Sequence, residues 1–180
     1  MQALLFVPGG LEIKEKKLAT RNLLVFVSVC ILTILLDQAM KQIVVSSLAE
    51  GKSIVLIPKF VQITHTRNTG AAFGLMSEMG KFVFLFSLFV VVLIVFLHIR
   101  NRGKRKTIYH VSLALIVGGA IGNLLDRLFR GSVVDFIDLR WWPAFNIADT
   151  VIVLGVIIFA ISLLIESKSR KRLQETERRD

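Results

Sequence analysis

The sequence predicts an all-α integral membrane protein: four transmembrane helices with a small extracytoplasmic β element. Three observations carry that expectation. The chain of 180 residues is 54% hydrophobic with 3 prolines, outside the range of ordinary soluble domains. Its apolar residues gather into four stretches near the roughly 20 residues that a bilayer-spanning helix needs. Its basic residues gather between those stretches, and 15 of the 23 Lys and Arg fall in residues 14–21, 100–106 and 168–179. With four spans, these three segments share one side of the membrane, and the excess of positive charge makes that side cytoplasmic.

The elements follow in order. Residues 1–21 form a cytoplasmic extension, whose opening "MQALLFVPGG" has too short an apolar run, and no preceding basic region, for a cleavable signal. A four-helix membrane domain occupies residues 22–166. Its first span, about 22–45, acts as the uncleaved insertion signal and contains Cys30, the single cysteine, expected as a small buried apolar residue. The first outer loop holds the β region, about 52–74. There "FVQITHT" alternates at period two after Pro58, and "NTGAAFG" suits a tight turn or a close backbone approach. Spans at about 82–99 and 107–129 come next, then a second outer loop, 130–144. Trp141 and Trp142 in that loop fit an interfacial aromatic belt. A last span, 145–165, leads into a basic cytoplasmic tail, 167–180. Both termini are expected inside.

This topology sorts the polar groups without any motif. Asp37 and Lys41 fall at the outer end of span one, and Asn123, Asp126 and Arg127 at the outer end of span three. Asn146 and Asp149 open span four, and Asp135 and Asp138 lie in the loop before it. Ionisable groups at the edge of a bilayer are costly and tend to mark function. Ordinary roles stay open for each. Asp37 and Lys41, spaced i, i+4, suit an intrahelical ion pair. Asp126 and Arg127 cannot face each other and need other partners, structural or substrate. Asn146 can cap the fourth helix with Asp149 favoured by its dipole, which leaves Asp135 unexplained. His65, His98 and His110 are scattered over different elements, so no metal or triad histidine is expected.

Two carboxylates at a semi-dry interface cannot easily both ionise, so they share a proton. One can then activate a water toward an amide carbonyl while the other donates a proton, with no metal or cofactor. Two other classes compete. A metal-dependent phosphotransferase or phosphatase could gather Asp126, Asp135, Asp138 and Asp149 around a magnesium ion. A proton-coupled carrier would spread polar groups across the membrane, whereas here they stop at one face. Nucleic acid is not an expected partner, because no binding-module pattern accompanies the basic segments.

The motifs "DQAMK", "NTGAAFG", "GGAIGNLLDR", "VVDFIDL" and "FNIADT", in this order across four spans, resemble the lipoprotein signal peptidase (type II signal peptidase) family over about residues 22–165. The resemblance implies a four-helix bundle with an outer β cradle. It implies Asp135 and Asp149 as the catalytic pair, with Asn68, Gly70, Asn123, Arg127 and Asn146 around substrate and pair. Asp126, Asp37 and Lys41 are expected in support, and Asp138 is the spare. The implied activity is an aspartic endopeptidase without cofactor, cutting diacylglyceryl-prolipoprotein signal peptides just before the lipidated cysteine. It would work in the bacterial inner membrane among membrane lipids, as a monomer, with its site facing outward.

Overall fold

The computed structural model describes residues 8–69 and 78–177. Its elements run α1 (Pro8–Ser47), β1 (Ser53–Ile57), β2 (Val61–Asn68), α2 (Glu78–Asn101), α3 (Thr107–Arg130), β3 (Val133–Asp138) and α4 (Ile147–Glu177). Four apolar runs became four helices, each long and apolar enough to cross a bilayer. Residues 22–45 are thus part of a longer helix. α1 has 40 residues, which at about 1.5 Å per residue is roughly 60 Å, well beyond a bilayer's hydrocarbon thickness. Its start at Pro8 shows that residue 21 is no break in secondary structure, and α4 likewise carries the basic tail on as helix to Glu177.

α3 is the central helix. Of its most apolar stretch 61% is buried, against 22% in α1, 6% in α2 and 11% in α4. The outer three instead expose large side chains such as Leu24, Leu35, Phe82, Phe89, Leu154 and Leu164, the surface a helix offers to lipid. Close packing on α3 relies on small residues. A Cβ at Gly119 would lie 2.5 Å from the Ala148 carbonyl oxygen of α4, and one at Gly122 would lie 2.7 Å from Asp37 Oδ2 of α1. "GGAIG" is therefore a strip where three helices pack closely. At the other end of the bundle, Asn22 Nδ2 donates to the carbonyls of Arg102 (2.7 Å) and Arg105 (3.2 Å), fastening the α2–α3 turn to α1. Phe26, Cys30, Tyr109, Leu113, Ala114 and Val117 form the apolar core beside it. Cys30 is buried and free, as its apolar surroundings implied.

Two expectations are revised. His98 and His110 are not scattered: the α2–α3 turn brings their Nδ1 atoms within 3.0 Å, with Phe26 stacked on His98. The second outer loop also contains a strand. β3 completes a three-stranded antiparallel sheet in the order β1-β2-β3. Its "VVDFID" is short, β-branched and aromatic, a strand composition that only becomes a strand because β2 offers an edge. α3 ends at Gly131, which takes the left-handed conformation (φ 74°) that a side chain would resist, and this turns the chain directly into β3.

Candidate active site

The β2–β3 ladder and the start of α4 place the two candidate aspartates. In the ladder Asn68 pairs with Val133 and Thr66 with Asp135, so the Asn68 side chain reaches Asp135: its Nδ2 donates to Oδ2 at 2.9 Å. After β3 the chain returns through a bridge between Ile137 and Phe145, with Phe136 and Ile137 N–H both donating to the Phe145 carbonyl. That return sets Asn146 beside Asp135, and Asn146 Nδ2 donates to Asp135 Oδ1 at 2.7 Å. Asn146 also caps α4. Its Oδ1 accepts the Asp149 N–H at 3.0 Å, and Asp149 Oδ2 accepts the Asn146 N–H at 3.2 Å, a reciprocal pair that satisfies two of the helix's orphan donors. The capping role and the site role thus belong to the same residue. Asn123 of α3 completes the ring, donating through Nδ2 to Asp149 Oδ1 at 2.8 Å.

Beneath this ring lies a buried charge cluster. Lys41 Nζ contacts Asp37 Oδ2 at 2.7 Å and Asp126 Oδ2 at 2.9 Å, and donates to Asn123 Oδ1 at 2.9 Å. All three ionised side chains are fully inaccessible. Arg130 adds a second cation on Asp126, so two carboxylates face two cations. Each carboxylate also holds backbone next to a candidate aspartate. Asp126 Oδ2 accepts the Val134 N–H at 3.1 Å, one residue before Asp135, and Asp37 Oδ1 accepts the Ala148 N–H at 2.9 Å, one residue before Asp149. Asp37, Lys41 and Asp126 are structural in the sense that they locate both aspartates' main chain. A buried pair broken on one side leaves an uncompensated charge, which costs about 3–5 kcal/mol.

Within the ring, burial marks out Asp135. Burial pushes the Asp135 carboxyl up to about 6. The Asp149 charge pushes the same way, while hydrogen bonds from Asn68 and Asn146 and the Lys41 charge pull it down. Asp149 is half-buried at the first turn of α4, where the helix dipole favours an anion. Arg127 lines two cavities. One of about 650 Å³ is bordered by Thr69, Gly80, Lys81, Phe84, Leu85 and Gly131. A second, of about 260 Å³, is bordered by Phe86, Val90, Ile116, Asn123 and Asp149 among others. Arg127 Nη1 lies 3.5 Å from the Asn123 carbonyl, and its buried Nε has no partner among the described residues. Among the described residues Nε is therefore a buried donor left unfilled, on a side chain that shares a cavity lining with Asp149.

Of the sequence-predicted residues, Asp135, Asp149, Asn68, Asn123 and Asn146 meet directly, Arg127 borders them, and Asp37, Lys41 and Asp126 support them. Gly70 lies outside the described residues. Asp138 faces elsewhere, accepting from Gln62 Nε2 at 2.5 Å and from the Arg140 N–H at 2.7 Å. Sequence reasoning missed Gln38, whose Nε2 donates to Asp126 Oδ1 (3.1 Å) and the Gly122 carbonyl (3.0 Å), and Arg130. A glutamine inside a span and an arginine four residues after Asp126 were the available signals. With Asp126 and Asp138 each held by other partners, the four aspartates do not converge as a magnesium site would require.

The family described as Signal peptidase (SPase) II matches residues 29–165, a segment that contains every residue of this ring. The chain belongs to that family. A lipoprotein signal peptidase of Staphylococcus carnosus (strain TM300) is 38% identical over 154 residues, covering 83% of this chain and 95% of that protein. One of Syntrophomonas wolfei subsp. wolfei is 41% identical over 142 residues, covering 79% and 94%. A solved bacterial membrane enzyme structure, obtained by the in meso method at 2.3 Å resolution, is similar with a TM-score of 0.71 at 33% identity, over 80% of this chain and 90% of that one. The signal peptidase II chain is thus a multi-span bacterial membrane peptidase, and these likenesses lend nothing to the phosphotransferase alternative.

Proposed function

We propose that this peptidase removes signal peptides from diacylglyceryl-modified prolipoproteins, cutting just before the lipidated cysteine, with Asp135 and Asp149 as the catalytic pair. The observation that carries the pair is Asn146: one side chain touches Asp135 Oδ1 and the Asp149 N–H together, tying strand and helix so that both carboxyls face one site. A water held between them loses a proton to the ionised carboxylate and attacks the scissile carbonyl. The protonated partner gives its proton to the oxyanion or the leaving nitrogen. Arg127 and the cavities beside it orient the peptide around the modified cysteine, the guanidinium supplying a fixed fork of donors. The lipid anchor sets the depth of the scissile bond, so the membrane positions the substrate as much as the protein does. The site faces outward, both termini lie in the cytoplasm, and the working unit is a monomer among membrane lipids.

The test uses purified protein in detergent with a diacylglyceryl-prolipoprotein, and the products are weighed by mass spectrometry. Two products separated just before the modified cysteine are expected, in the presence and absence of chelator alike. Asp135→Asn and Asp149→Asn should each stay folded and give no product. Normal turnover by either variant would overturn the pair, and a cut elsewhere would overturn the substrate reading.

A further inference from the structure

The free edge and tip of the sheet carry apolar surface that the ring of aspartates and asparagines does not use. Among the described elements β1 packs against β2 alone, so its far edge is open. Its Ile54, Val55, Leu56 and Ile57 are 52–58% exposed. Neighbouring residues of a strand point to opposite faces, so Ile54 and Val55 leave both faces apolar, and Leu56 and Ile57 continue the run past a bulge. Phe60, in the turn that follows, is 63% exposed. A protein strand added at this edge would pair its backbone and leave both faces bare, and a partner laid on one face would leave the other. A lipid interface surrounds the strand on both, and the chain already stands in a bilayer on four helices. The unpaired backbone of the edge sets the depth: it is excluded from the hydrocarbon and suits the headgroup region, where water and lipid oxygens serve it.

Basic groups sit at the same tip. The β2–β3 register sets Gln62 opposite Asp138, which brings the β1–β2 turn beside the loop after β3. A cavity of about 220 Å³ lies between them, bordered by Pro58, Lys59, Gln62 and Arg140 among others. Lys59 (φ 67°) and Arg140 (φ 68°) are the two non-glycine residues with positive φ among the described residues, and both line this one cavity. Side chains resist that conformation, so the fold holds two cations here against local preference. Arg140 is also aimed. Its N–H donates to Asp138 Oδ1 at 2.7 Å and its Nη1 to Gln62 Oε1 at 3.0 Å, while Gln62 Nε2 donates to Asp138 Oδ2 at 2.5 Å. Asp138, unused by the ring, thus fixes the arginine from outside the lining, which holds two cations and no carboxylate. Trp141 and Trp142, 72% and 59% exposed, follow Arg140 directly.

We propose that the tip of the sheet binds an anionic phospholipid of the adjacent leaflet: Lys59 and Arg140 hold the headgroup phosphate, and β1, Phe60 and the two tryptophans lie among the lipids around it. Arginine's planar fork suits a phosphate's oxygens, and lysine adds a point charge. Gln62 at the tip and Thr66 opposite Asp135 are four residues apart on β2, roughly 13 Å, so the lipid steadies the strand pair without touching the ring.

The chain's only two tryptophans, Trp141 and Trp142, report on this site. The peptidase is reconstituted in nanodiscs of an equal mixture of phosphatidylcholine and phosphatidylglycerol, with the acyl chains of one or the other brominated. Bromine on phosphatidylglycerol should quench the emission at least about twofold more than bromine on phosphatidylcholine, since cations at a membrane surface gather anionic lipid. In Lys59→Gln with Arg140→Gln the two should quench equally, while cleavage in detergent matches the parent. Lys59→Arg should keep the preference. Equal quenching in the parent, or an undiminished preference in the double variant, would overturn the proposal. Emission that neither lipid quenches would put the tip in water or against a second copy, and overturns it as well. Failure of the parent to cut the lipidated precursor in detergent would instead strike at the proposed function.

Discussion

Asp135 and Asp138 share one strand, three residues apart, yet their surroundings assign them opposite fates. Asp138 is tied to Gln62 and to the Arg140 turn at the edge of the sheet, so Asp138→Asn should keep most of the peptidase activity. Asp135 is buried between two asparagines, and its carboxyl is raised from 3.8 to about 6. Its ionised form is disfavoured in the fold, so the stability it contributes is fully present below about pH 4 and lost as pH rises through about 6. Asp135→Asn should consequently abolish turnover and yet raise thermal stability at pH 8, by about 1–3 kcal/mol, as read from melting curves of both proteins at pH 5 and pH 8. Equal melting at both pH values would contradict the buried-acid account. Arg127→Ala should lower kcat/KM about 10- to 100-fold, because it removes positioning rather than chemistry. A sequence reader could find these residues, since an aspartate or asparagine at the end of an apolar run is conspicuous. Their pairing was not readable, because the Asn123 orientation depends on a lysine 82 positions away.

At the scale of elements, the spans were legible and the third strand was not. Apolar runs of bilayer length have one physical solution, a helix that satisfies its own backbone, and all four appeared. β3 has six residues and no such constraint. It forms because β2 presents an edge and Gly131 turns the chain toward it, facts that depend on tertiary context. The glycines of α3 were visible but not their purpose. Gly119 lies where a Cβ would meet the Ala148 carbonyl oxygen, which is backbone and cannot swing aside. Gly119→Ala should therefore push α3 from the start of α4 and cost about 1–3 kcal/mol. Since Asn123 and Asp149 sit on those two helices, activity should fall together with the melting temperature. A variant that melts lower but turns over normally would show that the α3–α4 contact does not locate the pair.

The whole molecule places its basic α2–α3 turn and its candidate aspartates at opposite ends. Asn22 fastens α1 to the turn that carries Arg102 and Arg105, while the aspartates gather at the sheet end of the same helices. Reporter fusions near Lys104 and after Arg172 should accordingly read cytoplasmic and one near Gly51 extracytoplasmic, and the reverse would separate the site from lipidated precursors. The central claim is that an aspartic pair at the membrane surface cuts a bond whose depth a lipid anchor fixes. The most direct test compares initial rates on one prolipoprotein with and without its diacylglyceryl group, using the reconstituted peptidase at equal substrate density. The anchored form should be cut at least about 100-fold faster, because losing the anchor loses position as well as affinity. Equal rates on the two forms would contradict it.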